Sequence, residues 1–180
     1  LDHVGKSAGV FNTEKLLDLN AWYIREASDE FLVEQLIPFL EKLGISEPDH
    51  AILREIVPHL KARSKTLVEM AEGAKFCFDE EMEYEKKGDD KFLKKGVAQL
   101  LADLTDALQE THPFDQENLE KTFVSFLEKN EIKLRKIAQP LRVALTGKTA
   151  SPGIFEVMQV LGKEKVIKRI LKAVEHINAK

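Results

Sequence analysis

The chain has 180 residues, of which 43% are hydrophobic and 32% charged, with a formal net charge of −4. That length holds one domain, or two small ones, around a proper core. No apolar run approaches the roughly 20 residues of a membrane span, the start has no signal-peptide pattern, the single cysteine (Cys77) excludes an internal disulfide and fits a reducing cytoplasm, and the five histidines show no zinc-ligand spacing.

The predicted elements are helices almost throughout. "NTEKLLDLNAWYIREA" opens with Asn12 or Thr13 as cap and sets Leu16, Leu19 and Trp22 or Tyr23 on one face. "SDEFLVEQLIPFLEKLG" starts at Ser28 with two acids in its first turn and closes at Gly44. Its apolar stripe is Phe31, Leu32, Leu36, Phe39, Leu40 and Leu43, with a kink expected at Pro38. "SEPDHAILREIVPHLKA" begins with Ser46 as cap and Pro48 near the first helical position, and Pro58 is expected to bend or break it. Ser64 then caps "KTLVEMAEG", and "AKFCF" is the one strand-like run. The charged stretch "DEEMEYEKKGDD" (79–90) interrupts the apolar pattern and reads as a loop, dividing the chain into helical subdomains at 1–85 and 89–180. Beyond it come "KFLKKGVAQLLADLTDALQE" and "FDQENLEKTFVSFLEKN", separated by Pro113, and two more helices within 132–178. With no period-two alternation of useful length and no βα alternation, the fold class is all-α.

Catalytic motifs are sparse. "HVGKS" (3–7) is a faint echo of a phosphate loop, lacking the first glycine and the spacing. The acids Asp79, Glu80, Glu81, Glu83 and Glu85 have no metal or acid/base geometry with them and read as a solvated connection. His59 and His112 sit beside prolines, with no triad arrangement. Cys77, between Phe76 and Phe78, suits a buried apolar role rather than a nucleophile.

Charge is unevenly spread. Residues 1–88 carry 11 Lys and Arg against 18 Asp and Glu, whereas residues 132–180 carry 11 against 3. A local basic surface is what meets phosphates, whatever the global charge. Lys165, Lys168, Arg169 and Lys172 fit a phosphate grip or a solvated helix face equally well.

The densest signal is "AQPLRVALTGKTASPGIFEVMQVLGKE" (138–164). Ile137, Leu141 and Leu145 form one helical face, and Arg142 stands at its edge, free to reach solvent or a partner. Gly147 is placed to end the helix in the left-handed conformation. Ser151 is expected to cap a new helix whose first position is Pro152, leaving free N–H groups near Gly153 and Ile154 that suit anionic or acceptor-rich groups. A plain helix-loop-helix would need all of these features too.

"QPLRVALTGKTASPGIFEVMQVLGKEKVIKRI" resembles the C-terminal signature of bacterial-type glutamyl-tRNA synthetases, which are class I aminoacyl-tRNA synthetases. "KSAGVFNTEKLLDLNAWYIRE" is similar to the segment that opens their anticodon-binding half, and "LREIVPHLKARSKTLVEMAEGAKFCF" fits their middle more loosely. Asn12 stands where that family usually has Asp, and Asp18 where it commonly has an aromatic.

The resemblance implies an all-α, two-subdomain anticodon-binding region that grips the anticodon stem-loop of tRNA(Glu). The parent enzyme would attach glutamate to tRNA(Glu) with ATP and Mg, in a catalytic domain of the same chain whose HIGH and KMSKS motifs are absent from these residues. This region would then be inactive alone, hold no cofactor, and work as a monomer in the cytoplasm. Arg63 matches the arginine that reads the third anticodon base, where cytosine marks tRNA(Glu) and guanine tRNA(Gln). Arg142 matches a second arginine, stacking on or bonding to the first base. Ser151, Pro152 and Ile154 match a loop lining the pocket for splayed-out bases, with Gln139 and Lys148 at its flanks. Two other readings stand beside this one: a stand-alone helical RNA-binding module, and an interaction module whose basic C-terminal face docks an acidic protein.

Overall fold

The computed structural model describes residues 12–180, so the 3–7 motif lies outside the described residues. Those residues form helices α1 (Thr13–Glu26), α2 (Asp29–Lys42), α3 (His50–Lys61), α4 (Leu67–Ala74), α5 (Lys86–Phe92), α6 (Lys95–Gln109), α7 (Gln116–Lys129), α8 (Arg135–Thr146) and α9 (Ile154–Asn178). Among them there is no strand, as the all-α reading requires.

Side-chain oxygens set most of the helix starts. Asn12 caps α1, accepting from Lys15 N–H at 3.0 Å, and Ser28 caps α2, accepting from Phe31 N–H at 3.3 Å. The expected caps Ser46 and Ser64 are displaced. Asp49 caps α3, accepting from Ala51 N–H at 2.7 Å, because a carboxylate next to the first turn also meets the positive end of the helix. Thr66 caps α4, while Ser64 is buried and donates to Leu60 O at 3.0 Å, tying off the end of α3.

None of the three internal prolines ends its helix: α2 runs through Pro38 to Lys42, α3 through Pro58 to Lys61 and α8 through Pro140 to Thr146. A proline removes one backbone hydrogen bond; complete burial of Leu36 and Leu40 around Pro38, and of Ile56 and Val57 before Pro58, offsets that loss. The strand-like "AKFCF" is instead a 3-10 turn, Lys75–Cys77, that extends α4 and buries Phe76 and Cys77. The charged stretch is not wholly a loop either, since its second half forms α5.

Buried hydrophobic residues from Ile24 in α1 to Ile177 in α9 belong to one contiguous cluster. Helices α2, α3 and α4 pack together on one side, and α6, α8 and α9 on the other, with α3 also touching α9. The 79–85 segment lies across α8 and α9. Glu85 N–H donates to Gly147 O at 2.8 Å, and Gly147, with φ of +71°, lies so close to the Glu83 carbonyl that a Cβ would collide with it. That position therefore needs glycine twice over, for the left-handed φ and for the approach.

Helix α9 breaks at Gly162 (φ 72°, ψ 160°). Beyond the break, Arg169 is 97% buried and donates from Nη1 to Leu145 O at 2.6 Å and from Nη2 to Phe76 O and Asp79 O, both at 2.7 Å. Its cation joins three segments with carbonyl oxygens alone. The neighbouring Lys165 donates to Cys77 O at 2.7 Å, and burial pushes the Cys77 thiol up to about 12, the behaviour of an inert structural cysteine.

The first helix differs from its expectation. Ala21 and Ile24 are its buried residues, whereas Leu16, Leu19, Trp22 and Tyr23 are about half exposed, as is Phe31 at the start of α2. The periodicity was real, but that face has no cover among the described residues.

Candidate nucleic-acid interface

Two walls meet at the candidate site. One is the α3–α4 corner, where α3 ends at Lys61 and the chain turns through Arg63 and Ser64 into α4. The other is the α8–α9 loop, residues 147–153, which begins at the left-handed Gly147. Between them lies a cleft of about 370 Å³ whose lining includes Arg63, Glu69, Glu72, Lys148, Ser151 and Pro152. Residues 85 positions apart in sequence thus share one concave surface.

The loop wall is locked by Arg142. Its Nη1 donates to Ser151 O at 3.1 Å, to Ser151 Oγ, and to Pro152 O at 2.6 Å. Thr146 Oγ1 donates back to Arg142 O at 2.8 Å, closing the last turn of α8. Ser151 therefore does not cap the last helix: its hydroxyl donates to Pro152 O at 2.8 Å and meets the guanidinium, and α9 starts after Gly153 without a side-chain cap. A cation nine residues upstream offered a stronger partner than the first-turn N–H groups.

Arg142 is half-buried rather than free at the helix edge. Burial lowers its pKa from the ordinary value, the charge of Arg63 lowers it further, and Glu156 works the other way. Two guanidiniums are therefore within electrostatic reach of each other at this cleft. Arg63 is exposed and in no ion pair among the described residues, while Lys148 donates to the backbone oxygen of Glu72 at 3.2 Å and so bridges the walls.

The structure thus brings Arg63, Lys148, Ser151 and Pro152 to one cleft and sets Arg142 directly behind its loop. Ile154 is not in the lining. It is 7% exposed and part of the core, and the next residue, Phe155, packs edge-on against Phe123 with ring centroids 5.1 Å apart. Gln139 is half-buried on α8, with its Oε1 buried and unpartnered among the described residues.

The lysines of α9 are largely occupied elsewhere. Lys168 lies 3.8 Å from Glu80, Lys172 pairs with Glu81, and Lys165 and Arg169 hold backbone carbonyls. Two carboxylates of the cleft, Glu69 and Glu72, went unread in the sequence. A signal for Glu69 was present, since Thr66-Leu67-Val68-Glu69 has the spacing of a capping box. Glu69 N–H does donate to Thr66 Oγ1 at 3.1 Å, and its Oε2 accepts from Lys65 N–H at 2.6 Å. Glu72 had no such signal.

A helical scaffold thus gathers exposed cations, carboxylates and neutral acceptors around one cleft. The chain belongs to the anticodon binding domain family, whose match covers residues 31–174. It is 46% identical over 179 residues to glutamate–tRNA ligase 1 of Syntrophus aciditrophicus and 42% identical over 177 residues to the glutamate–tRNA ligase of Geobacter sulfurreducens. Those alignments cover 99% and 98% of this chain but 38% of each relative, so the chain spans well under half of their length. The crystal structure of a glutamate–tRNA ligase from Elizabethkingia meningosepticum in complex with its amino acid superposes with a TM-score of 0.84 at 25% identity, covering 97% of this chain and 34% of that one. The glutamate–tRNA synthetase of Elizabethkingia anophelis gives 0.80 at 26% identity, covering 96% and 33%.

Proposed function

We propose that this chain is the anticodon-reading part of a glutamate–tRNA ligase and grips the anticodon stem-loop of tRNA(Glu). The observation that supports this most is the cleft itself, with Arg63 on one wall and the Arg142-locked Ser151–Pro152 loop on the other. Sequence-specific RNA readout targets single-stranded loops, whose unstacked bases offer their edges, and a cleft of about 370 Å³ has room for such a base. In this reading Arg63 donates to the acceptors of a cytosine at the third anticodon position, and guanine fits poorly. Lys148, Ser151 and Pro152 line the base pocket, and Gln139 flanks it. Arg142 and Ile154 act from behind, Arg142 by holding the loop through Nη1 and Ile154 by anchoring the start of α9 in the core.

The parent enzyme would charge tRNA(Glu) with glutamate. ATP and Mg would belong to the remaining portion of the relatives' length, and this region needs no cofactor of its own for reading bases. The exposed apolar face of α1 supplies a surface for that catalytic portion to cover. No described helix is long and apolar enough to cross a membrane, and we place the parent in the cytoplasm, as a monomer. The competing reading, in which the basic C-terminal face docks an acidic protein, is weakened because Glu80 and Glu81 of the same chain already engage Lys168 and Lys172.

Binding of fluorescent anticodon stem-loops at fixed low salt tests the proposal. A tRNA(Glu) stem-loop should bind more tightly than one with the same stem and a scrambled loop, and affinity should fall steeply with added salt. Equal binding of intact and scrambled loops would refute base reading.

A further inference from the structure

Resting on the anticodon reading, we propose that Glu72 is a second specificity determinant of the cleft, accepting a hydrogen bond from the exocyclic amino group of the base that Arg63 reads. The lining is chemically mixed: the cations Arg63 and Lys148 share the cleft of about 370 Å³ with the carboxylates Glu69 and Glu72. A phosphate pocket would not carry two acids. A base edge, which presents donors and acceptors side by side, requires such a mixture.

The two acids are not equivalent. Glu69 Oε2 is already engaged by Lys65 N–H at 2.6 Å, in the cap of α4. Glu72 sits one turn further along α4, exposed, and its carboxylate has no hydrogen-bond or ion-pair partner among the described residues. Its backbone oxygen accepts from Lys148, so the bond that bridges the two walls also fixes where Glu72 starts. A carboxylate can only accept when ionised.

Cytosine presents an amino donor at C4 beside acceptors at N3 and O2. Uracil presents an acceptor at C4 and an N–H donor at N3, and the guanine edge runs in the opposite sense, with O6 accepting and N1 and the 2-amino group donating. An arginine on N3 and O2 favours cytosine over uracil, whose N3–H meets it donor to donor, but it does not sense the group at C4. A carboxylate opposite C4 separates them, by attracting the amino group of one and repelling the carbonyl of the other. Arg63 and Glu72 together match cytosine across its whole Watson–Crick edge.

The test uses three anticodon stem-loops that carry cytosine, uracil or pyrimidin-2-one (cytosine without its amino group) at the third anticodon position, with the scrambled loop as reference. The wild-type chain should bind the cytosine loop about tenfold more tightly than either of the other two. In Glu72→Ala the cytosine and pyrimidin-2-one loops should bind within about twofold of each other, while the uracil loop stays weaker because its N3–H still opposes Arg63. Removing a negative charge will strengthen binding of every RNA alike, so the ratios, not the affinities, are the readout. Wild-type binding of the pyrimidin-2-one loop as tightly as the cytosine loop, with both still preferred over the scrambled loop, would overturn the role of Glu72 and leave the anticodon reading standing. Failure of every loop to exceed the scrambled one would overturn both.

Discussion

Helices α1 and α9 show the same kind of apolar periodicity in the sequence, yet the molecule treats them in opposite ways. Helix α9 buries Ile154, Val157, Met158, Val166, Ile170, Ala173 and Ile177, and is fastened further by Arg169 to three backbone carbonyls. Helix α1 buries two residues and turns Leu16, Leu19, Trp22 and Tyr23 outward, on an arc of about 120°. Trp22 and Tyr23 pack edge-on against each other at 5.0 Å, with no core behind them. Beyond its two buried residues, α1 is held by an Asn20 side-chain bond to Lys65 O at 2.6 Å and a Lys65–Asp18 ion pair at 2.7 Å. An apolar stripe tells which face of a helix is to be covered, and only the surroundings tell by what.

The largest test of that contrast is Arg169→Ala. It leaves the carbonyls of Leu145, Phe76 and Asp79 unpaired in the interior and opens a void, so stability should fall by about 3 kcal/mol or more. Urea denaturation followed by circular dichroism measures it, and a loss below about 1 kcal/mol would show that α9 is not pinned in this way.

A smaller effect is expected where α5 meets the end of α9. Asp89 accepts from His176 Nε2 at 2.9 Å and from Lys180. Burial raises its pKa, but the hydrogen bonds from Lys180 and His176 outweigh burial, and the carboxyl titrates below its ordinary 3.8. A depressed carboxylate stabilises the fold fully above its unfolded value, and that contribution disappears as pH falls through the lower folded value. At pH 7 the wild type should therefore exceed Asp89→Asn by less than about 1 kcal/mol, given how near the surface the group lies. The two should converge in acid, and a gap that widened there would reverse the sign of the account.

A comparably small effect is predicted for α1. Leu19→Ser with Trp22→Ser should change the stability of this chain by no more than about 1 kcal/mol, because both side chains are already about half exposed. A loss of 2 kcal/mol in the same urea titration would mean that α1 belongs to the core after all.

Much of this was legible in the sequence. Gly147 is where the helix stops, in the expected left-handed conformation, because a positive φ leaves few alternatives to glycine. The helical order was readable from periodicity, and the all-α class with it. What the sequence could not convey was pairing across space. Arg142 looked free because its partners, the Ser151 and Pro152 oxygens, come to it only through the fold of a loop. Lys168 and Lys172 fitted a phosphate grip and a solvated face equally well because Glu80 and Glu81 are about ninety positions away. Nothing local in Glu72 marked it as a cleft residue. Cap positions were misread by two or three residues where several Ser, Thr and Asp competed, as at Ser46 against Asp49 and Ser64 against Thr66.

The central claim is that Arg63 reads the third anticodon base. Its most direct test is binding of two tRNA(Glu) anticodon stem-loops, differing only in cytosine or guanine at that position, to the wild-type chain and to Arg63→Gln at one fixed low salt concentration. The account predicts a clear wild-type preference for cytosine, worth about 1–3 kcal/mol, that the substitution erases. Equal affinity of the wild type for both loops, or a preference that survives the loss of Arg63, would contradict it.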